Sequence, residues 1–247
     1  MPPARARQRL SVLGLVAGVV VVVPPLAASA HRYDWAEALQ FMVLALVAPG
    51  LVVAGAPWEP LGLGPVAEKL AAARQRHHER ARTVAVAVPA LACIVAWRTP
   101  SAVNALRAGG WLLALEALSL GIAGAALWLE CIGSGVLVPR GPRPQRIAVA
   151  AISMWTIWVL AYLSAMSGAG WYRSYVHVPG HGLSMAIDQQ AASGVMWALA
   201  SGCFVPLIFW DLVQWLRAEE DADHELHRVV REERRRALPP ARPADQP

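Results

Sequence analysis

Long apolar runs separated by short polar segments organise this chain. A helix needs about 20 apolar residues to cross a bilayer, and runs of this kind recur six times in 247 residues. The apolar positions are continuous rather than confined to one helical stripe, which is typical of membrane helices. We therefore predict an all-α, polytopic membrane helical bundle with six spans, which are Leu10 to Ala30, Leu39 to Pro57, Thr83 to Trp97, Gly109 to Ile132, Ile147 to Ala169 and Gln190 to Leu216.

The first apolar run has two interpretations. Basic residues precede it, Pro24 and Pro25 break it, and it ends in Ala28-Ser29-Ala30, which resembles a signal-peptidase site. It is either a first transmembrane helix or a cleaved signal, and a cleaved signal would leave five spans. The run is longer than a signal core usually is, which favours a retained helix.

Polar segments divide the chain into two predicted domains. Residues 1–216 form one integral membrane domain, in which the loop 58–82 is predicted to carry a basic amphipathic helix from Val66 to Arg82. The tail 217–247 carries charges of both signs. It is predicted to be helical to about Arg236 and then disordered, because its last residues are rich in proline and poor in large apolar side chains.

Basic residues indicate how the chain is oriented in the membrane. A cytoplasmic N-terminus puts 18 of the 22 lysine and arginine residues on the cytoplasmic side. The positive-inside rule describes such an excess, so both termini are predicted to face the cytoplasm. The same excess accounts for the net charge of +5 without a nucleic-acid partner. The cytoplasmic basic residues fall in 1–9, 58–82, 140–146 and the tail.

Composition and motifs exclude several classes of protein. With 56% hydrophobic and 16% charged residues, the chain is too apolar for a soluble domain. No histidine falls inside a predicted span, which counts against a transmembrane haem protein. Cys93, Cys131 and Cys203 stand singly, so no C-x-x-C redox or zinc motif is present. No P-loop or nucleophile–base motif occurs either, so we do not expect an enzyme.

A few polar and soft side chains on the predicted extracytoplasmic side form a candidate site. Glu37 opens the second span, Glu116 lies about two turns into the fourth, and Asp188 heads the sixth. Asp188 and Met196 share one face of the sixth helix. Thioethers and imidazoles are the ligands that copper ions favour. One hypothesis is therefore a copper site, with the tentative ligands Glu37, Glu116, Asp188, Met196, His177 and His181.

The alternative is that these residues are structural. Glu116 can hydrogen-bond a neighbouring helix, Asp188 can cap the sixth helix, and the histidines of the link 170–187 can be solvated. Both interpretations stay open from the residues alone. Small residues at four-residue spacing also indicate close helix packing, as in Gly121 with Ala125 and Ser164 with Gly168.

Three stretches of the chain are similar to one known family. The first runs from Gln40 to Pro57, the second combines Ala114-Leu115-Glu116 with Ser119, Ala123-Gly124 and Leu127-Trp128, and the third is Asp188-Gln189-Gln190 with Gly194 and Met196-Trp197. Through them the chain resembles the CtaG family. Members of that family are polytopic membrane proteins implicated in maturing the copper-containing cytochrome c oxidase of the caa type.

The resemblance implies copper ligands that this chain does not have. The family pattern carries three histidines, the obvious copper ligands, at positions where this chain has Glu37, Phe41 and Ala117. The chain is therefore expected to be a divergent member, in which the fold is kept and the metal role has changed. The pattern residues that remain are Glu116, Asp188, Gln189 and Met196.

The sequence leaves three functional hypotheses. The leading one is a non-enzymatic assembly factor for a haem-copper oxidase in the cytoplasmic membrane, which acts by copper handling or by holding a partly built oxidase subunit. The second is a metal-free accessory or scaffold protein of a respiratory complex, whose basic surface and tail bind a partner or anionic lipids. The third is an ion transporter, because buried acids such as Glu116 often mark ion paths. Copper is the only cofactor that these hypotheses invoke.

Overall fold

Helices account for 83% of the residues that the computed structural model describes, and these residues contain no β-strand. The all-α prediction is confirmed. The structure describes residues 4–58, 61–75, 80–107, 110–167, 170–176, 178 and 182–237. Within these ranges the α-helices are α1 (Ala4–Val22), α2 (Leu26–Ala30), α3 (Asp34–Met42), α4 (Ala48–Gly55), α5 (Gly64–Gln75), α6 (Arg80–Trp97), α7 (Pro100–Leu106), α8 (Gly110–Cys131), α9 (Arg143–Met166) and α10 (Met185–Ala237).

Four helical segments within the described residues are long and apolar enough to cross a membrane. The pair Arg82–Trp97 and Pro100–Leu106, bent by 62°, makes a fifth if it counts as one span. The first predicted span is divided into α1 and α2 around Pro24 and Pro25, and it is not among these candidates. A helical membrane protein is thus supported, whereas the count of six spans is not confirmed. The four segments are Asp34–Gly55, Gly110–Cys131, Arg143–Met166 and Met185–Asp221.

The most enclosed span consists of α3, a π-helical turn at Val43–Val47, and α4. Its most apolar window is 72% buried, against 28 to 39% for the other three spans, so it lies at the centre of the bundle. Pro49 has no backbone N–H, so the regular helical hydrogen bonding is interrupted in the preceding turn. The π-helical turn accommodates this interruption. In this widened turn the carbonyl of Leu46 accepts the indole N–H of Trp128 at 2.8 Å.

Glycines allow α8 to approach the central span closely. A Cβ on Gly124 would clash with the carbonyl of Ala45, and one on Gly50 would lie 2.8 Å from the ring of Trp128. Trp128 also stacks on Phe204 of α10, with 5.4 Å between the ring centroids. The hydrophobic core therefore lies where α8 and α10 meet the central span.

The prediction of a close helix contact at Gly121 is wrong. A Cβ built at Gly121 meets nothing within 4 Å, whereas the close approach is made one turn later at Gly124. Hydropathy does not distinguish these two glycines, because both stand in the same apolar run. Of the other predicted pair, Ser164 is buried and lies 2.8 Å from the hydroxyl of Ser193, and Gly168 falls outside the described residues.

The bounds of several helices differ from the sequence prediction. The basic helix predicted from Val66 to Arg82 corresponds to α5, which ends at Gln75, and α6 already begins at Arg80. The segment 98–108, which the prediction leaves as a polar link between the third and fourth spans, contains α7. This helix starts at Pro100 because proline suits the first position of a helix.

The last helix runs through the predicted boundary between the membrane domain and the tail. α10 continues without a break from Met185 to Ala237, which is about 80 Å at 1.5 Å per residue. The division into domains 1–216 and 217–247 stays a prediction, and residues 238–247 lie outside the described part.

Candidate functional site

The carboxylate of Asp188, in the first turn of α10, caps a different helix. It accepts the backbone N–H of Asp34 at 2.8 Å and that of Trp35 at 3.1 Å. The first N–H groups of a helix have no partner within it, and a negative charge there is favoured by the helix dipole. Asp188 therefore stabilises the start of α3. At the start of α10 the hydroxyl of Ser184 accepts the N–H of Ile187, and Asp188 is the acid of the first turn. The cap suggested for Asp188 on its own helix stays a prediction.

Arg98 is the buried cation at this end of the bundle, with 2% of its surface exposed. It lies 3.1 Å from the carboxylate of Asp34 and pairs directly with Glu37. Its guanidinium also lies over two rings, 4.8 Å from the centroid of Tyr172 and 5.6 Å from that of Phe41. The two carboxylates and the two rings together satisfy a charge that water cannot reach.

Tyr172 joins the long link before α10 to the same arginine. Its hydroxyl donates to the carbonyl of Arg98 at 3.1 Å. Burial raises the pKa of Tyr172 to about 12, so the phenol remains a donor at neutral pH. We call Asp34, Glu37, Arg98, Tyr172 and Asp188 the Arg98 cluster.

Further hydrogen bonds fasten the link against the bundle. The hydroxyl of Tyr175 donates to the carbonyl of Ala30 at 2.8 Å. The side chain of Gln189 accepts the N–H of Trp171 at 3.0 Å and donates to the carbonyl of Ser167 at the same distance. The described part of the link is thus fixed to α2, α9 and α10.

Glu116 lies beside the Arg98 cluster but is not part of its ion pairs. It is 2% exposed, and its Oε1 has no hydrogen-bond partner within the described residues. The same is true of Oε1 of Glu37. Both residues line a cavity of about 20 Å³ together with Gln40, Arg107 and Tyr175. A cavity of that size has room for about one water molecule.

Three of the six tentative copper ligands have other surroundings in the described structure. Glu37 and Asp188 are engaged by Arg98 and by the start of α3, and Met196 is fully buried in the hydrophobic core. No group of three or more histidine, cysteine, aspartate or glutamate residues in the described ranges could hold a metal ion. His177 and His181 lie outside those ranges. The six-residue copper site of the sequence analysis therefore stays a prediction, of which the structure places only Glu37 and Glu116 at one cavity.

Another buried carboxylate organises the opposite end of the bundle. Glu130, which is fully buried near the end of α8, lies 3.2 Å from Arg74, pairs with Arg140 and accepts the hydroxyl of Thr83 at 3.1 Å. Arg74 also donates to the carbonyl of Leu129 at 3.0 Å. The last carbonyls of a helix have no partner within it, so this arginine both balances the charge and caps α8.

Arg146 acts in the same way on the final residue of α8. It donates to the carbonyl of Cys131 at 2.9 Å and pairs with Asp211 of α10 at 2.8 Å. The sequence analysis did not identify Glu130 and Asp211, and it placed Arg98 in the polar link between the third and fourth predicted spans. The sequence does contain a sign of such buried ion pairs. An acid stands near the end of an apolar run, and arginines follow it in the next polar segment.

One comparison with known proteins gives a match. The family model described as cytochrome c oxidase caa3 assembly factor (Caa3_CtaG) matches residues 2–218. The matched range covers the Arg98 cluster, Glu130 and the apolar part of every candidate span. No curated protein and no solved structure matches the chain.

Proposed function

Because the chain belongs to the cytochrome c oxidase caa3 assembly factor family, we propose that it assists the assembly of a haem-copper oxidase by holding a partly built oxidase component in the membrane. The protein would act without catalysis and without a resident metal. The coarse part of this function, oxidase assembly by a helical membrane protein, comes from the family and the apolar spans. Holding an intermediate is the finer proposal.

The Arg98 cluster is the observation that supports holding over copper handling. The guanidinium of Arg98 already balances Asp34 and Glu37, and Asp188 already binds two backbone N–H groups. Removing one partner of a buried ion pair leaves an uncompensated charge, so a metal could take these carboxylates only at the expense of the bundle. Carboxylate oxygens are also hard ligands that suit copper(I) poorly.

A deletion strain tests the proposed function. Loss of the protein should lower the amount of assembled oxidase, measured from its haem absorbance and its activity in membranes. The tagged full-length chain should co-purify with an oxidase component from the wild-type strain. Normal oxidase in the deletion strain would show that the protein is not an assembly factor.

Copper stoichiometry separates holding from copper handling. The protein purified in detergent and incubated with copper(I) under reducing conditions should retain no stoichiometric copper. About one copper per chain, lost in Glu116→Gln or in His177→Ala with His181→Ala, would make copper handling the function instead. Met166→Ala is a matched control, because Met166 is an exposed thioether at the end of α9.

A further inference from the structure

Three tryptophans line a groove on the lateral surface between α9 and α10. The rings of Trp155 and Trp158 meet edge to face with centroids 5.2 Å apart, and Trp158 stacks on Trp197 at 4.9 Å. The groove has a volume of about 550 Å³. Tyr162 and Gly194 also line it, and we call this surface the Trp197 groove.

These indoles lie deep in the membrane rather than at its surface. Trp155 and Trp158 lie about 18 and 23 Å along a helix of about 36 Å, at 1.5 Å per residue, since α9 begins at Arg143 and ends at Met166. Tryptophan in membrane proteins usually collects at the interface with water. A row of indoles at mid-depth therefore indicates a surface that binds something other than water or headgroups.

The groove offers two hydrogen-bond donors without acceptors. The indole N–H of Trp158 donates to the hydroxyl of Ser201 at 3.2 Å, but those of Trp155 and Trp197 have no partner in the described part of the chain. Both rings are more than half exposed. An unpaired donor in hydrocarbon is unfavourable, and a lipid acyl chain contains no acceptor. The hydroxyl and amide side chains of another protein's helix provide such acceptors.

Gly194 makes room in the groove for a second backbone. A Cβ built there meets nothing within 4 Å, so this chain itself does not require a glycine at that position. Glycine within a helix is about 1 kcal/mol less favourable than alanine. Small residues in membrane helices permit close approach of a neighbouring helix, which fits an occupant of helical diameter.

The charges beyond the apolar part of α10 indicate what kind of helix would occupy the groove. Arg217 and three acids, Glu219, Glu220 and Asp221, are exposed just beyond the apolar part of α10, so this turn carries a net negative charge on the side predicted to be cytoplasmic. A second copy packed alongside would place the same acids next to one another, because both copies have one orientation in the membrane. A different membrane protein with lysine or arginine after its span complements them, and such basic flanks are usual on the cytoplasmic side.

We propose that the Trp197 groove receives a transmembrane helix of an oxidase component, one that carries side-chain acceptors at mid-depth and a basic cytoplasmic flank. This inference rests on the proposed function and names the surface through which holding takes place.

Site-specific photocrosslinking in native membranes tests it. A photoreactive phenylalanine replaces Tyr162, which is 65% exposed and lines the groove. The full-length chain should form an adduct with an oxidase subunit, and mass spectrometry should place the linkage in a transmembrane segment with a basic flank. Gly194→Leu fills the groove and should lower the adduct yield about tenfold, which corresponds to about 1.4 kcal/mol of binding energy.

Gly121→Leu is the matched control. Gly121 also faces open space but lies on α8, so this variant should leave the adduct yield unchanged. An adduct only with lipid, with a second copy or with an unrelated protein would overturn the proposed groove. So would a yield that Gly194→Leu does not lower.

The two proposals fail in different ways. Reduced oxidase in the deletion strain together with no groove adduct would reject the groove and leave the proposed function intact. A groove adduct with an oxidase subunit together with normal oxidase in the deletion strain would reject the assembly role and leave the docking surface.

Discussion

The carboxylate of Asp188 accepts the backbone N–H of Asp34, a residue 154 positions earlier in the chain, at 2.8 Å. Tyr33, which precedes α3, makes no side-chain cap hydrogen bond. The start of α10 therefore supplies the cap that the local sequence of α3 lacks. Through this contact the last span of the bundle stabilises the central one.

Loss of this cap should destabilise the protein. Asp188→Ala is expected to lower the free energy of unfolding by about 1–3 kcal/mol, because two N–H groups in the first turn of α3, one of them fully buried, lose their acceptor. Asp188→Asn keeps one acceptor oxygen and should cost less. Thermal unfolding of the detergent-purified protein, followed by circular dichroism, measures both. Equal midpoints for the wild type and Asp188→Ala would contradict the capping role.

Removal of the buried cation should have a larger effect. Arg98→Met leaves Asp34 and Glu37 without a counter-charge, and breaking a buried pair from one side costs about 3–5 kcal/mol. Arg98→Lys should recover only part of the loss, because an ammonium cannot reproduce the forked geometry of a guanidinium. Folded yield in membranes and the unfolding midpoint measure the effect.

The partner variants provide the control for Arg98. When Asp34→Asn and Glu37→Gln are combined with Arg98→Met, neither of the two acids that Arg98 pairs with still carries a charge, and much of the stability should return. A triple variant less stable than Arg98→Met alone would mean that the ion pairs do not explain the effect.

Two glycines on α8 should respond in opposite ways to the same substitution. Gly124→Ala places a methyl group against the carbonyl of Ala45, so it should destabilise the bundle. Gly121→Ala meets open space and should be neutral or stabilising by up to about 1 kcal/mol, because alanine is the better helix former. The difference between the two unfolding midpoints tests whether the close contact lies at Gly124.

The carboxylate of Glu130 should matter more than an exposed one. Glu130→Gln leaves Arg74 and Arg140 without their shared counter-charge, and we expect a loss of about 1–3 kcal/mol. Glu225→Gln breaks an exposed pair with Arg228, for which the expected loss is below about 1 kcal/mol. Comparable losses in the two variants would argue against a special role for the buried site.

The sequence by itself determined the class of the protein and the location of most of its helices. Hydropathy is a local property, since about 20 consecutive apolar residues suffice to predict a span. For this reason the all-α fold was predictable from composition and run length. The positions of Glu37, Glu116 and Asp188 near the ends of spans could be deduced in the same way.

Only the tertiary structure decided what those polar residues contact. Asp34, Arg98 and Asp188 are far apart in the chain, and their hydrogen bonds depend on how three helix ends meet in space. Hydropathy placed Arg98 in a polar link between two spans because it takes account of the charge and not of the partners. A buried charge is stable only when opposite charges and hydrogen bonds surround it, and packing alone brings those groups together.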